Sequence, residues 1–138
     1  MEWTISSEKE LNTIVRAIAP LLSKGDVVAL KGTLGVGKTT FVRALVRHLV
    51  HTQIDVPSPT FTLLQIYDTP SFALYHFDFY RLKTPQEAYE IGIEDAFSDG
   101  VSLIEWPEKI GSLLPKNHKI ITFEILDNGK RHIYTEGF

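Results

Sequence analysis

The chain has 138 residues, of which 43% are apolar and 22% charged, with a formal net charge of −3. That suits one globular domain with one core, while the absence of cysteine excludes disulfides and thiolate metal sites, and the acidic balance speaks against a purely nucleic-acid-binding module. No apolar run approaches the roughly 20 residues that span a bilayer, and Met1-Glu2-Trp3-Thr4 lacks the basic, apolar start of a secretory signal, so a cytoplasmic protein without a membrane partner is expected.

Ser7-Glu8-Lys9-Glu10 has the S-x-x-E capping-box pattern of a helix start. Leu11, Ile14, Val15, Ile18 and Leu22 then recur at helical spacing. Pro20 removes a helical hydrogen bond, so this helix kinks or ends there. After Gly25-Asp26, the apolar run Val27-Val28-Ala29-Leu30 reads as a buried strand. A glycine-rich loop follows, then a helical pattern over Thr40–Val50. Strands are expected near Thr62–Tyr67 and Phe72–Phe77, joined as a hairpin by Asp68-Thr69-Pro70-Ser71. Pro85–Glu90 reads as a short helix with proline in its first turn, and Val101-Ser102-Leu103-Ile104 as a second buried strand. Two last strands, about Ile120–Ile125 and His132–Thr135, flank the turn Asp127-Asn128-Gly129. The sum is a single α/β domain over residues 1–138, P-loop NTPase-like, with a central mixed sheet flanked by helices.

Gly32-Thr33-Leu34-Gly35-Val36-Gly37-Lys38-Thr39 matches G-x-x-x-x-G-K-[ST]. Its glycines permit conformations and close approaches that a Cβ would block. Successive N–H groups over Gly35, Val36, Gly37, Lys38, Thr39 and Thr40 can then turn toward phosphate oxygens, helped by the dipole of the following helix. Lys38 would reach the β- and γ-phosphates of ATP or GTP, and Thr39 would give its hydroxyl to Mg²⁺. Arg43, Arg47 and His48 read as the solvated face of that helix, with docking as the alternative. A magnesium site also needs a carboxylate. Glu105 and Asp78 each follow a strand, and either could hold Mg²⁺ directly or through water. Pro57-Ser58-Pro59-Thr60-Phe61-Thr62 is a stiffened loop whose threonine could sense a γ-phosphate. His48, His51, His76, His118 and His132 form no zinc spacing, and Trp3 and Trp106 read as packing residues.

Taken together, Gly32–Phe41, Val56-Pro57-Ser58-Pro59-Thr60-Phe61-Thr62-Leu63, His76-Phe77-Asp78-Phe79-Tyr80-Arg81-Leu82, Gly92-Ile93-Glu94-Asp95 and Leu103-Ile104-Glu105-Trp106-Pro107 resemble the TsaE (YjeE) family of bacterial tRNA threonylcarbamoyladenosine biosynthesis. The resemblance implies ATP and Mg²⁺ as ligands, weak hydrolysis, and action on the TsaB–TsaD pair that modifies adenosine 37 of tRNA. Contact with tRNA would then be indirect, through that complex, and the chain alone would be a monomer. Carried over, Lys38 contacts phosphate and Thr39 and Glu105 serve the metal. Thr60 and Thr62 match a switch-like loop, Asp78 and Trp106 match positions tied to activity, and Glu8 and Arg131 match nucleotide contacts from the two termini. Thr33 stands where the family usually has an acidic residue. No obvious arginine finger sits beside the loop, so slow intrinsic turnover raised by a partner is expected. A small-molecule kinase is the alternative, with Arg81 as a lid candidate. The N-K-x-D motif of a guanine-reading switch is absent. A module that binds nucleotide only to assemble is a further alternative.

Overall fold

A computed structural model describes residues 1–33, 37–51, 54–60 and 62–138. Leu34, Gly35 and Val36 of the glycine-rich loop, and Phe61 of the proline-bounded loop, lie outside the described residues.

Seven strands form one mixed sheet in the order β1-β7-β6-β2-β5-β4-β3. They are β1 (Glu2–Ile5), β2 (Val27–Lys31), β3 (Leu64–Asp68), β4 (Ala73–Asp78), β5 (Gly100–Glu105), β6 (Lys119–Ile125) and β7 (Arg131–Glu136). Between them run α1 (Leu11–Ile18), α2 (Lys38–Val50), α3 (Glu87–Ile91) and α4 (Ile93–Asp99). The centre is parallel: β2 pairs with β5 and β6, and β4 with β5. The margins are antiparallel, with β3 on β4 and β7 bridging β6 and β1. The four residues Val27–Leu30 are all buried, as a central parallel strand covered on both faces requires.

Adjacent residues of β2 separate the two cores. Val28 and Leu30 pack with Leu11, Ile14, Ile18, Phe41 and Leu45 of α1 and α2. Val27 packs with Phe77, Phe79, Ile104, Ala88, Ile93 and Ala96 on the side of α3 and α4. This alternation is the two-residue repeat of a strand.

The first helix departs from the expected capping box. The Ser7 side chain caps nothing; instead Glu10 reaches back to the Ser6 N–H at 3.0 Å, and a 3₁₀ turn over Glu8–Glu10 precedes α1. At Pro20 the α-helix does end: it tightens into a 3₁₀ turn over Ala19–Leu21. The β3–β4 hairpin forms as expected and is closed by Thr69, whose Oγ1 donates to the Phe72 carbonyl at 2.6 Å. Pro85 and Gln86 lie in the turn ahead of α3 rather than inside it. Two elements were not anticipated. The strand β1 is only Glu-Trp-Thr-Ile and exists through pairing with β7. The helix α4 starts directly after Gly92, whose φ of +94° breaks the helical run into two.

Candidate functional site

The site gathers where α2 leaves the sheet, at the carboxyl ends of β4 and β5. The strands are in register there, with Asp78 opposite Glu105. Ligands of open α/β sheets bind at this end of the strands. Gly37 precedes α2 with a φ of +103°, a conformation natural to glycine.

Lys38 is only 4% exposed. Its Nζ donates to the Gly32 carbonyl at 2.7 Å and sits 4.1 Å from the centre of the Trp106 ring. Burial pulls the Lys38 ammonium below the ordinary lysine range, while the charges of Glu105, Glu108 and Asp78 pull it back up. A buried cation with incomplete compensation is a place for an anion. Trp106 takes a left-handed backbone, φ 60° and ψ 52°, uncommon for a bulky residue and a form of strain that tends to collect at functional sites. Tyr80, half-exposed at 48%, lies against it with ring centres 5.0 Å apart.

Thr39 and Glu105 meet. The Thr39 hydroxyl donates to the carboxylate at 3.1 and 3.3 Å. On its other side the Glu105 carboxylate accepts from His76 Nε2 at 2.6 Å, and both side chains are buried. The carboxylate can only accept, so Nε2 carries the hydrogen of this bond. His76 Nδ1 finds no partner among the described residues. The sequence placed His76 in a signature block but not in the site. Its spacing in β4 contains the signal, since His76 and Asp78 are two residues apart on one face, the face that carries Leu103 and Glu105 on β5.

Asp78 serves a different neighbour. Its Oδ2 accepts from the Thr60 hydroxyl at 2.9 Å and its Oδ1 from the Tyr80 N–H at 2.9 Å. Ser58 and Thr60 share a hydrogen bond of 2.8 Å, and the Asp78 N–H donates to Leu63 O at 3.0 Å. The proline-bounded loop is thus tied to β4 through both side chain and backbone. Thr62 bonds Gln65 instead.

The termini also reach the site. Pairing of β1 with β7 sets Ile5 opposite Arg131. The Arg131 guanidinium lies over Gly37, where an added Cβ would meet Nη1 at 3.2 Å. An arginine therefore does stand beside the loop, brought from 94 positions away in the chain (131 − 37). Gly37, Lys38, Thr39, Thr40, Thr60, Asp78, Glu105, Trp106 and Arg131 line one cavity of about 200 Å³. A neighbouring cavity of about 180 Å³ is lined by Ile5, Ser6, Ser7, Glu8, Gly129 and Arg131. Arg131 joins the two, and Glu8 belongs only to the second.

The donor set suits a hard cation beside phosphate. Thr39 and Glu105 offer oxygen only, as Mg²⁺ prefers. Among the described residues no group of three or more His, Cys, Asp or Glu side chains could hold a metal ion by itself. Gly37→Ala tests the cradle. A Cβ there is strained by the positive φ and crowds Arg131, so a loss of about 1–2 kcal/mol is expected, with weaker nucleotide binding. Urea denaturation and a fluorescent-nucleotide titration read the two effects. Unchanged values for both would show that neither the backbone form nor the arginine contact matters.

The fold places the molecule among α/β proteins built on a mixed seven-stranded sheet flanked by helices. A family model described as threonylcarbamoyl adenosine biosynthesis protein TsaE matches residues 5–133, and the chain belongs to the TsaE family. A tRNA threonylcarbamoyladenosine biosynthesis protein TsaE from Rickettsia typhi is 45% identical over 128 residues, covering 93% of this chain and 89% of that one. The protein of the same name from Bacillus subtilis is 34% identical, covering 96% and 83%. The crystal structure of Bacillus subtilis YdiB superposes with a TM-score of 0.82 at 29% identity, over 100% of this chain and 86% of that one.

Proposed function

We propose that this chain is the ATP-binding, slowly ATP-hydrolysing subunit of tRNA threonylcarbamoyladenosine synthesis, acting on a TsaB–TsaD complex in the cytoplasm. One observation carries the reading: Lys38, Thr39, Glu105 and Asp78 converge on one cavity at the head of α2. Lys38 neutralises the β- and γ-phosphates, and Gly35 to Thr40 cradle them with backbone N–H groups. Thr39 and Glu105 hold Mg²⁺, which would offset developing charge on the transferred phosphoryl group. Asp78 sets Thr60 and, with Glu105, orients the attacking water. Arg131 and Glu8 flank the ribose and base side, where the second cavity opens.

A reconstituted modification assay with TsaB, TsaD and unmodified tRNA tests this. Multiple turnover should require this chain and ATP, and fail with Lys38→Ala. Equal modification without the chain would end the proposal. Phosphate transfer to a metabolite in a substrate screen would instead assign a small-molecule kinase.

A further inference from the structure

A further cavity lies apart from the phosphate pocket. It is an open groove of about 520 Å³ between α1 and α2. Its charge-bearing walls are Lys9 and Arg16 on one side and Arg43, Arg47 and His48 on the other, with Glu8 as the one carboxylate. Arg43 and Arg47 are one helical repeat apart, about 6 Å along the axis. Among the described residues, Arg16, Arg43 and Arg47 have no carboxylate within salt-bridge distance. This contrasts with a chain whose net charge is −3. The balance is met on the opposite face of the sheet, where α3 and α4 carry Glu87, Glu90, Glu94, Asp95 and Asp99 without a lysine or arginine.

Two of the arginines are already fixed. Arg43 Nε donates to Val56 O at 3.4 Å and Arg47 Nε to Ile54 O at 3.2 Å. A guanidinium held in this way has less freedom to lose when it takes a phosphate. The groove has little apolar lining, only Leu11 and Ala44, and no large aromatic. Protein-docking surfaces centre on aromatic and apolar anchors, whereas nucleic-acid surfaces are polar and strongly positive. The lack of stacking platforms points to backbone phosphates rather than bases.

We propose that the α1–α2 groove binds the phosphate backbone of RNA directly, through Lys9, Arg16, Arg43 and Arg47. The site is separate from the nucleotide cavity, though α2 borders both, and it does not depend on ATP hydrolysis. The arginines also hold Ile54 and Val56, which precede the Pro57–Thr60 segment. Phosphates drawn to Arg43 and Arg47 therefore bear on the loop that sets Thr60 on Asp78.

Fluorescence anisotropy with a labelled unmodified tRNA transcript, without nucleotide, tests this on the intact chain. Binding should weaken with salt at a log–log slope of about −3.6, about −0.9 for each of four neutralised phosphates. Arg16→Glu, on an exposed position with no ion pair to lose, should weaken binding at least about tenfold and reduce the slope by about 1. Lys9→Glu should do the same, with unchanged circular dichroism for both. Four results would overturn the proposal: no binding at about 50 mM salt, binding indifferent to both reversals, displacement of the RNA by ATP, or tighter binding of polyglutamate than of tRNA. The last would assign the groove to an acidic protein surface. ATP hydrolysis measured on the same variants keeps this outcome distinct from the nucleotide reading.

Discussion

Lys38→Ala should lower ATP affinity and turnover by about 10²–10³, the usual loss when one positioned charge-stabilising donor is removed, while the fold stays at least as stable. The two halves of this expectation share a cause. The Lys38 ammonium is buried, at 4% exposure, and among the described residues no carboxylate lies within salt-bridge distance of it. One carbonyl at 2.7 Å and the face of Trp106 replace the lost water only in part. A cation kept so opposes folding and favours an arriving phosphate. The pH dependence follows in sign. Burial lowers the folded pKa below 10.5, so the unfolded chain holds this proton more tightly. The penalty is complete at neutral pH and fades as pH rises through the lowered value toward 10.5. Lys38→Met, which keeps the volume, should be the more stable variant at pH 7 and should flatten that rise. Isothermal titration with ATP and urea unfolding at several pH values measure both. Retained ATP affinity in either variant would remove Lys38 from the site.

Glu105→Gln should separate binding from hydrolysis. The Glu105 carboxylate bridges the Thr39 hydroxyl and His76 Nε2, and glutamine preserves the shape and one acceptor oxygen. Without the negative charge, Mg²⁺-dependent hydrolysis should fall about 10²–10³, with ATP affinity changed much less. Glu105→Ala is a harsher change. It leaves His76 Nε2 buried without an acceptor beside an Nδ1 that already lacks a partner, at about 1–3 kcal/mol. His76→Ala should lower kcat with little change in KM, and a double-mutant cycle should show the pair coupled. Full hydrolysis by Glu105→Gln would leave Asp78 as the carboxylate that serves the metal. Independent effects of His76 and Glu105 would reduce their 2.6 Å contact to packing.

Much of the fold can be read from local pattern. Val27–Leu30 is a continuous apolar run, and continuous runs become strands covered on both sides. The turn at Asp127-Asn128-Gly129 announces the β6–β7 hairpin, which Gly129 closes at a φ of +81°. The capping box failed because Ser6 and Ser7 both precede a glutamate at usable spacing, and the 3₁₀ turn selected Ser6. The strand β1 was illegible for another reason. Four residues of mixed polarity have no periodicity to read, and their partner lies at the other end of the chain.

The same division runs through the site. The motif at Lys38 and Thr39 is legible because its pattern is local, a run of neighbouring residues in the chain. The blocks around Asp78 and Glu105 likewise named two carboxylates and left open what each would do. Only the parallel register of β4 and β5 decided that Glu105 faces Thr39 while Asp78 holds the Thr60 loop. That register also buried His76 behind Glu105. Arg131 met Gly37 because β1 and β7 close the sheet's edge, and the basic groove exists because α1 and α2 pack side by side. Sequence determines what each stretch of backbone can do alone; which side chains face one another depends on strand register and helix packing, contacts between residues far apart in the chain.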